Sequence, residues 1–381
     1  MIRVFKASQV FDGWNQHKNA SVSVTEDGRI AALHPDGTNM PSAAEVTDFG
    51  EGFLAPGFVD LQVNGGDGAV VGPDTDTGQL ARICAAHIRL GATAILPTLI
   101  SDTPETTRQV VMAGIAAARQ NTPGFAGLHL EGPHLDARRK GAHDPEFLRP
   151  MTESDLELLC DAVQELPALL VTVAPEAVTL EQINTLNRAG VIVSLGHSDC
   201  SAEQARAAHD AGARCVTHLY NAMGALANRA PGLVGAALTT PLVAGIIADG
   251  VHVAPECLQI ALAMKPADRL FLVSDAMAVA GSDADQFTLN GRRILRRDNR
   301  LTLEDGTLAG ADISLPQSVR HLVEMGVDTA RSLAMASRVP ADIIGAQDRG
   351  RILAGTRADL VFLSTDLTLQ KTCLLGRVLE G

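Results

Sequence analysis

The stretch that decides the fold runs from Leu169 to Asn221: LLVTVAPEAVTLEQINTLNRAGVIVSLGHSDCSAEQARAAHDAGARCVTHLYN. It opens on a short apolar run, Leu169–Pro175, as a strand covered on both faces requires. Thr179-x-x-Gln182 then fits a capping box, in which two side chains satisfy orphan backbone N–H groups at a helix start. An amphipathic segment follows, and Gly190 closes it where the chain needs a left-handed residue. The cycle then repeats: the apolar run Val191–His197, a second box at Ser201-x-x-Gln204, a helix closed by Gly212, and the run Cys215–Asn221. Strands alternating with helices predict a parallel sheet built from crossovers.

The same unit extends to both sides. The eight strand candidates are Phe58–Val63, Ala92–Ile100, Ala126–Gly132, Leu169–Pro175, Val191–His197, Cys215–Asn221, Val243–Gly250 and Phe271–Met277. Thr103-Pro104-Glu105 supplies an N-cap with a first-turn proline, and Gly91 closes another helix. Eight repeats predict an α/β fold, a (β/α)8 TIM-type barrel spanning residues 56–344. An open doubly wound sheet is the rival. It would bring a phosphate-binding glycine loop after its first strand, and Gly65-Gly66-Asp67-Gly68 fits neither G-x-G-x-x-G nor a P-loop.

The chain ends read differently. Ala20–Val24 and Arg29–Leu33 alternate around Thr25-Glu26-Asp27-Gly28, a hairpin signal. Asp359–Leu363 and Leu374–Leu379 also read as strands. A small β-sandwich domain assembled from residues 1–55 and 345–381 is expected, with a second hairpin near Phe287–Leu303 decorating the barrel.

Composition narrows the function. With 381 residues, 46% hydrophobic, the chain can bury a large core, and its 20% charged fraction does not indicate disorder. A net charge of −13 argues against nucleic acid as a partner. A small anionic metabolite stays open, provided the pocket gathers local donors. The six cysteines include no C-x-x-C pair, so reduced, mostly buried thiols are expected. Met1–Phe11 carries Arg3, Lys6 and Gln9 and lacks a signal peptide's apolar stretch. No apolar run reaches the ~18 residues of a membrane span. A cytoplasmic protein without a membrane partner is the expectation.

In barrel enzymes the reactive groups sit where strands end and βα loops begin. The third strand ends in His129-Leu130-Glu131-Gly132-Pro133-His134, and the fifth in Ser194-Leu195-Gly196-His197-Ser198-Asp199. The sixth ends in Thr217-His218-Leu219-Tyr220-Asn221-Ala222-Met223, the seventh in Asp249-Gly250-Val251-His252, and the eighth in Ser274-Asp275-Ala276-Met277. Glu131, His197 and His218 therefore come from three strands and should converge on one rim. A carboxylate and two imidazoles with an open position form a competent catalytic zinc site. Asp275, on the closing strand, is placed to reach the attacking water. Any one of these, taken alone, reads as a polar residue capping a strand; four at matching strand ends point to a site. His129 shares the strand face of Glu131 and is given a supporting role inside the barrel. Asp199 has two readings, orienting His197 or capping the next helix. His87, His209 and His321 fall in helix candidates and are expected on outer faces.

These segments also carry a resemblance. Ala55-Pro56-Gly57-Phe58-Val59-Asp60 opens the first strand as in the amidohydrolase superfamily. His129-x-Glu131-Gly132-Pro133, Gly196-His197-Ser198, Thr217–Met223 and Val273–Met277 resemble one family within it, the N-acetylglucosamine-6-phosphate deacetylases. Thr307-Leu308-Ala309-Gly310 and Gly350-x-Ile352-x-x-Gly355-x-x-Ala358-Asp359-Leu360-Val361 extend the likeness towards the C-terminus. The resemblance implies hydrolysis of the acetamide of N-acetyl-D-glucosamine 6-phosphate, with a divalent metal as cofactor. It further implies that His143, in Lys140-Gly141-Ala142-His143, donates to the carbonyl oxygen. The backbone at Asn221-Ala222, with Arg229 and His252, would take the phosphate; Ala142 and Leu308-Ala309-Gly310 would close over the sugar. A homodimer is implied, and Arg229 has the option of acting across its interface.

Departures from the superfamily pattern matter too. Many members carry H-x-H on the first strand, where this chain has Gln62-Val63-Asn64. Amides are poor ligands for zinc-like metals. The fourth strand ends in Ala174-Pro175-Glu176, without the bridging lysine of binuclear relatives. One metal is therefore expected, zinc first, with iron, cobalt or manganese overlapping in ligand preference. Gln62 and Asn64 either hydrogen-bond substrate and water or fill the barrel mouth. The rival activities are deacetylation of N-acetylgalactosamine 6-phosphate, one epimeric hydroxyl away, and cyclic-amide hydrolysis of the dihydroorotase type, which would want the missing H-x-H and lysine. A scaffold that has lost its chemistry would not keep a full ligand set.

Overall fold

The computed structural model of the chain describes residues 2–35, 38, 41 and 44–379. Eight strands stand side by side in chain order: Phe58–Val63, Ala92–Ile100, Leu128–Glu131, Leu169–Val173, Ile192–Leu195, Cys215–Val216, Val243–Ile246 and Leu270–Leu272. From the second to the eighth, every neighbouring pair is parallel. A parallel bridge between Val63 and Ala276 joins the two edges, backed by the Asn64 amide donating to the Ala276 carbonyl at 2.8 Å. This is the expected (β/α)8 barrel.

Local chemistry accounts for these elements. All six residues of the first strand and all nine of the second are buried, as for strands with side chains inside and helices outside. Helix Pro104–Arg119 starts at Thr103, whose hydroxyl accepts from the Thr106 amide. Both capping boxes form, at Thr179 and Ser201. Gly190 ends helix Leu180–Ala189 at φ 102°. The sixth and eighth strands stop earlier than the apolar runs suggest. His218 (φ 28°) and Asp275 (φ 49°) lie just beyond their ends in left-handed backbone, so the regular ladder breaks at the polar rim and only single bonds, such as Leu219 N–H to the Gly245 carbonyl, run past it.

Inside the barrel, beneath that rim, lies a polar layer. His129 Nε2 is 2.7 Å from Thr172 Oγ1, which is 2.7 Å from Thr217 Oγ1, which in turn meets Ser194 Oγ at 2.7 Å. His129 Nδ1 donates to the Leu61 carbonyl at 3.0 Å. Burial pushes the His129 imidazole down to about 4, so it is neutral. It serves the barrel interior, as expected from its strand face.

The chain forms two compact units, one of Met1–Asp60, His87–Ala94 and Ser314–Gly381, the other of Leu61–Ala86 and Ile95–Ile313. In the first, Ser21–Val24 and Ile30–His34 form the expected hairpin within a four-stranded sheet. A six-stranded sheet combines strands from both chain ends, with Phe53–Pro56 between Gln9–Phe11 and Leu360–Leu363. Phe5, Val22 and Val24 from one sheet pack with Val10, Leu54 and Leu360 from the other, the core of a β-sandwich. In the second unit, Gln286–Leu289, Arg292–Arg297, Arg300–Thr302 and Leu308–Ala311 form an antiparallel sheet. Its Leu289, Ile294 and Leu301 pack on Ile100 and Met277. His87 is buried rather than on an outer helix face. Among the described residues no helix is long and apolar enough to cross a membrane.

Candidate active site

The third, fifth and sixth strands each deliver one donor atom to a single point at the carboxyl end of the barrel. Glu131 Oε1 lies 3.1 Å from His197 Nε2 and 2.9 Å from His218 Nε2, and the two imidazole nitrogens are 3.1 Å apart. All three side chains are buried. The third strand exits at Gly132, where φ is +89° and a Cβ would stand 2.3 Å from Ser101 Oγ, so only glycine fits. His197 Nδ1 faces the Arg139 carbonyl at 2.9 Å, and only an N–H can bond there. Its Nε2 is thereby turned towards His218 Nε2 and a Glu131 carboxylate oxygen. The matching Nδ1 of His218 is buried without a protein partner.

A carboxylate and two imidazole nitrogens aimed at one point form a donor set suited to a cation. Burial alone would raise the Glu131 carboxyl, but hydrogen bonds and charge from His197 and His218 outweigh it and hold the group well below the usual range. Burial likewise opposes a charge on His218, yet its bond to Glu131 raises it. In protein alone, one shared proton relieves the clash; a divalent ion would do so for all three donors, so the residues fit a metal.

His143 stands beside them, with Nε2 4.0 Å from Glu131 Oε2 and its ring edge-on to His197 at 4.5 Å between centroids. Ligand atoms of Glu131, His143 and His197 all lie within 4.8 Å of one another. The hydrogen bonds of His143 separate it from the other two. The Ser101 backbone N–H donates to His143 Nδ1 at 3.2 Å, which leaves the ring proton on Nε2, facing the cluster. Burial, with the neighbouring His197, pushes this imidazole down to about 3, so it is a neutral donor.

Asp275 is reached from the first strand. Gln62 Nε2 donates to Asp275 Oδ1 and to Glu131 Oε1, each at 3.1 Å, and Asn64 Nδ2 donates to Asp275 Oδ1 at 2.7 Å. The two amides thus tie the half-buried acid to the cluster. Burial and the charge of Glu131 push Asp275 up to about 6. A cavity of about 420 Å³ opens over these groups, lined by Asn64, Ala142, His143, Asn221, Ala222, His252 and Leu308-Ala309-Gly310 among others. His252 is fixed by Asp249, whose Oδ2 meets its Nδ1 at 2.6 Å. Arg229 is exposed and does not line the cavity. Sequence reading missed Ile100, Met277 and Leu289, which also line it. The first two are the last residues of expected strands, Ala92–Ile100 and Phe271–Met277, and were open to discovery; Leu289 comes from the hairpin and gave no signal. Asp199 does not cap the following helix, because the Ser201 hydroxyl accepts from the Gln204 amide instead.

A parallel barrel with a carboxylate, imidazoles and a second acid at the carboxyl ends of its strands is the arrangement of a metal-assisted hydrolase. The chain belongs to the amidohydrolase family, whose model matches residues 53–379. It is 39% identical over 330 residues to N-acetylgalactosamine-6-phosphate deacetylase of Shewanella sp., covering 86% of this chain and 83% of that one. It is 33% identical to N-acetylglucosamine-6-phosphate deacetylase of Haemophilus influenzae, covering 92% and 93%. The crystal structure of N-acetylglucosamine-6-phosphate deacetylase from Pasteurella multocida matches with a TM-score of 0.95 at 31% identity, covering 100% of both chains. A mutant of the Mycobacterium smegmatis enzyme in complex with N-acetyl-D-glucosamine-6-phosphate matches at 0.90 and 30%, covering 99% of each.

Proposed function

We propose that the chain hydrolyses N-acetyl-D-glucosamine 6-phosphate to D-glucosamine 6-phosphate and acetate, a step of amino-sugar catabolism. The observation that carries this reading is the meeting of Glu131, His197 and His218 within 3.1 Å beside the half-buried Asp275. It sits in a chain similar along its whole length to solved deacetylases of that substrate.

Glu131, His197 and His218 would hold one divalent ion, zinc first, with Fe2+, Co2+ or Mn2+ as substitutes. Bound there, the ion acidifies water and polarises the amide carbonyl. Gln62 and Asn64 spend their amides on Glu131 and Asp275, which favours a single ion. Asp275 takes the proton of the attacking water and returns it to the departing nitrogen. The His143 Nε2–H donates to the carbonyl oxygen as charge develops there, an interaction of roughly 3–4 kcal/mol. Ala142 and Leu308-Ala309-Gly310 enclose the sugar and acetyl group. The Asn221-Ala222 backbone and His252 face the phosphate.

Arg229 is suited to phosphate by its forked donors. Because it is exposed and outside its own cavity, we assign it to the phosphate of a partner copy, which makes the enzyme a homodimer. Six free thiols suit a reducing cytoplasm. Residues 56–344 are taken as the catalytic barrel, and 1–55 with 345–381 as the β domain.

N-Acetylgalactosamine 6-phosphate is the second reading, favoured by the 39% identity to the Shewanella enzyme. Acetate release from both 6-phosphates, their unphosphorylated sugars and dihydroorotate, with and without chelator, tests the assignment. Chelator-sensitive release from the gluco 6-phosphate supports it. Faster turnover of the galacto epimer selects the second reading, and turnover of dihydroorotate alone refutes both.

A further inference from the structure

His197 adopts φ 47°, a conformation that costs a non-glycine residue roughly 1–3 kcal/mol and persists only where its surroundings over-determine it. Four hydrogen bonds do so. The Asp136 amide donates to the His197 carbonyl at 3.0 Å, and His197 Nδ1 donates to the Arg139 carbonyl at 2.9 Å. Ser198 Oγ donates to Glu176 Oε2 at 2.7 Å, and the Asp199 amide to Glu176 Oε1 at 2.9 Å.

The guanidinium of Arg139 closes this arrangement into a ring. Its Nε and Nη2 donate to Asp199 Oδ1 at 3.0 and 2.7 Å. The residue whose carbonyl holds the imidazole is thus tied, through its own side chain, to the residue two positions beyond that imidazole. Gly224 covers the pair so closely that a Cβ there would stand 2.6 Å from Asp199 Oδ1. The same short segment runs on through Gly141, where a Cβ would stand 3.3 Å from His197 Cε1, to His143, whose ring meets that of His197 edge-on.

The side chains of Arg139 and Asp199 are 36% and 31% exposed, so the ion pair adds little to global stability. What it can fix is direction. We propose that Arg139 and Asp199 are positioning residues, whose pairing holds the Arg139 carbonyl against His197 Nδ1 and so keeps the His197 Nε2 lone pair aimed at the metal. This rests on the reading of His197 as a ligand. Partners of this kind, one step behind a ligating histidine, orient the ring and set its tautomer.

The test is zinc affinity, measured by competition with a chromophoric chelator. It compares wild type, Arg139→Ala, Asp199→Asn, the double variant, Arg139→Lys and, as a control, Arg119→Ala at the exposed Arg119–Glu165 pair. Either single change should weaken zinc binding roughly 10–100-fold. The double variant should be no weaker than the singles, and Arg139→Lys should recover part of the loss. Melting temperatures of the metal-free proteins should match the control. Wild-type zinc affinity in both single variants, or losses that add in the double variant, would overturn the proposal. Should Arg139→Ala fail to fold, Asp199→Asn and Arg139→Lys decide it. If the wild type itself binds no zinc, the ligand reading falls first, and that outcome is distinct from variants that bind as tightly as the parent.

Discussion

Asn64 donates its side-chain amide to Asp275 Oδ1 over 2.7 Å, so the first barrel strand holds the acid that the eighth presents. Leucine at position 64 keeps the branched heavy-atom outline and has no donor. Asn64→Leu should lower kcat by about tenfold, from a misplaced carboxylate and the loss of a charge-assisted bond of about 1.5–3 kcal/mol. Metal content should be unchanged. Steady-state kinetics with elemental analysis would check both halves.

Asp275→Asn keeps the shape but removes the carboxylate proposed to carry the proton. Turnover should fall by roughly 10²–10⁴-fold while the metal stays bound. A variant with near-normal kcat would remove Asp275 from the chemistry.

His143 offers a sharper contrast. Its proton lies on Nε2 because Nδ1 accepts from the Ser101 amide, so the ring donates rather than ligates. His143→Asn should retain full metal occupancy and lose roughly 10²–10³-fold in kcat. His197→Ala should lose the metal itself. Metal analysis of the two variants side by side separates a donor from a ligand; parallel losses of metal would show His143 to be a ligand as well.

The polar layer makes a prediction about acid. An unfolded histidine titrates near 6.5, whereas buried His129 resists protonation until about 4. Between these values the unfolded chain binds a proton that the folded chain refuses. His129 therefore contributes stability that is complete above about 6.5 and is lost as pH falls towards 4. Melting temperature against pH should decline over that window, and His129→Gln should decline less. Parallel curves for the two proteins would contradict this.

Gly310 sits at φ +70°, where a Cβ would approach Met277 Cγ to 2.4 Å and the Asp275 carbonyl to 2.8 Å. The left-handed backbone alone costs alanine about 1–2 kcal/mol. Gly310→Ala should lower the melting temperature and raise KM, since the segment lines the cavity. Thermal melts and a substrate titration would measure the two effects.

Much of this was legible because barrel strands announce themselves as buried apolar runs, and because polar residues that interrupt such runs at their ends have few other reasons to be there. Glu131, His197, His218 and Asp275 were found that way. What sequence hides is contact across long separations. Arg139 reads as one of two adjacent loop arginines, and only the folded chain sets it against Asp199, 60 residues on. Backbone conformation is hidden as well: the run Cys215–Asn221 looks like one strand, yet the regular strand ends at Val216 and His218 turns left-handed. At the C-terminus, Leu374–Leu379 looks like a strand, but Leu375 and Gly376 turn at φ 49° and 66°. The strand before that turn, Leu369–Leu374, was masked by its polar residues Gln370, Lys371 and Thr372.

Five rim residues, His197, His218, Tyr220, Ala222 and Asp275, share positive φ angles. That geometry filters which codons evolution or a laboratory can sample there. Valine and isoleucine are disfavoured by their branched Cβ whatever chemistry is selected, whereas glycine enters without backbone penalty and asparagine at a reduced one. A randomised library over these positions should therefore yield folded members biased towards small and amide side chains, and new activities on this scaffold are more accessible through the hairpin that carries Leu289 than through the rim itself.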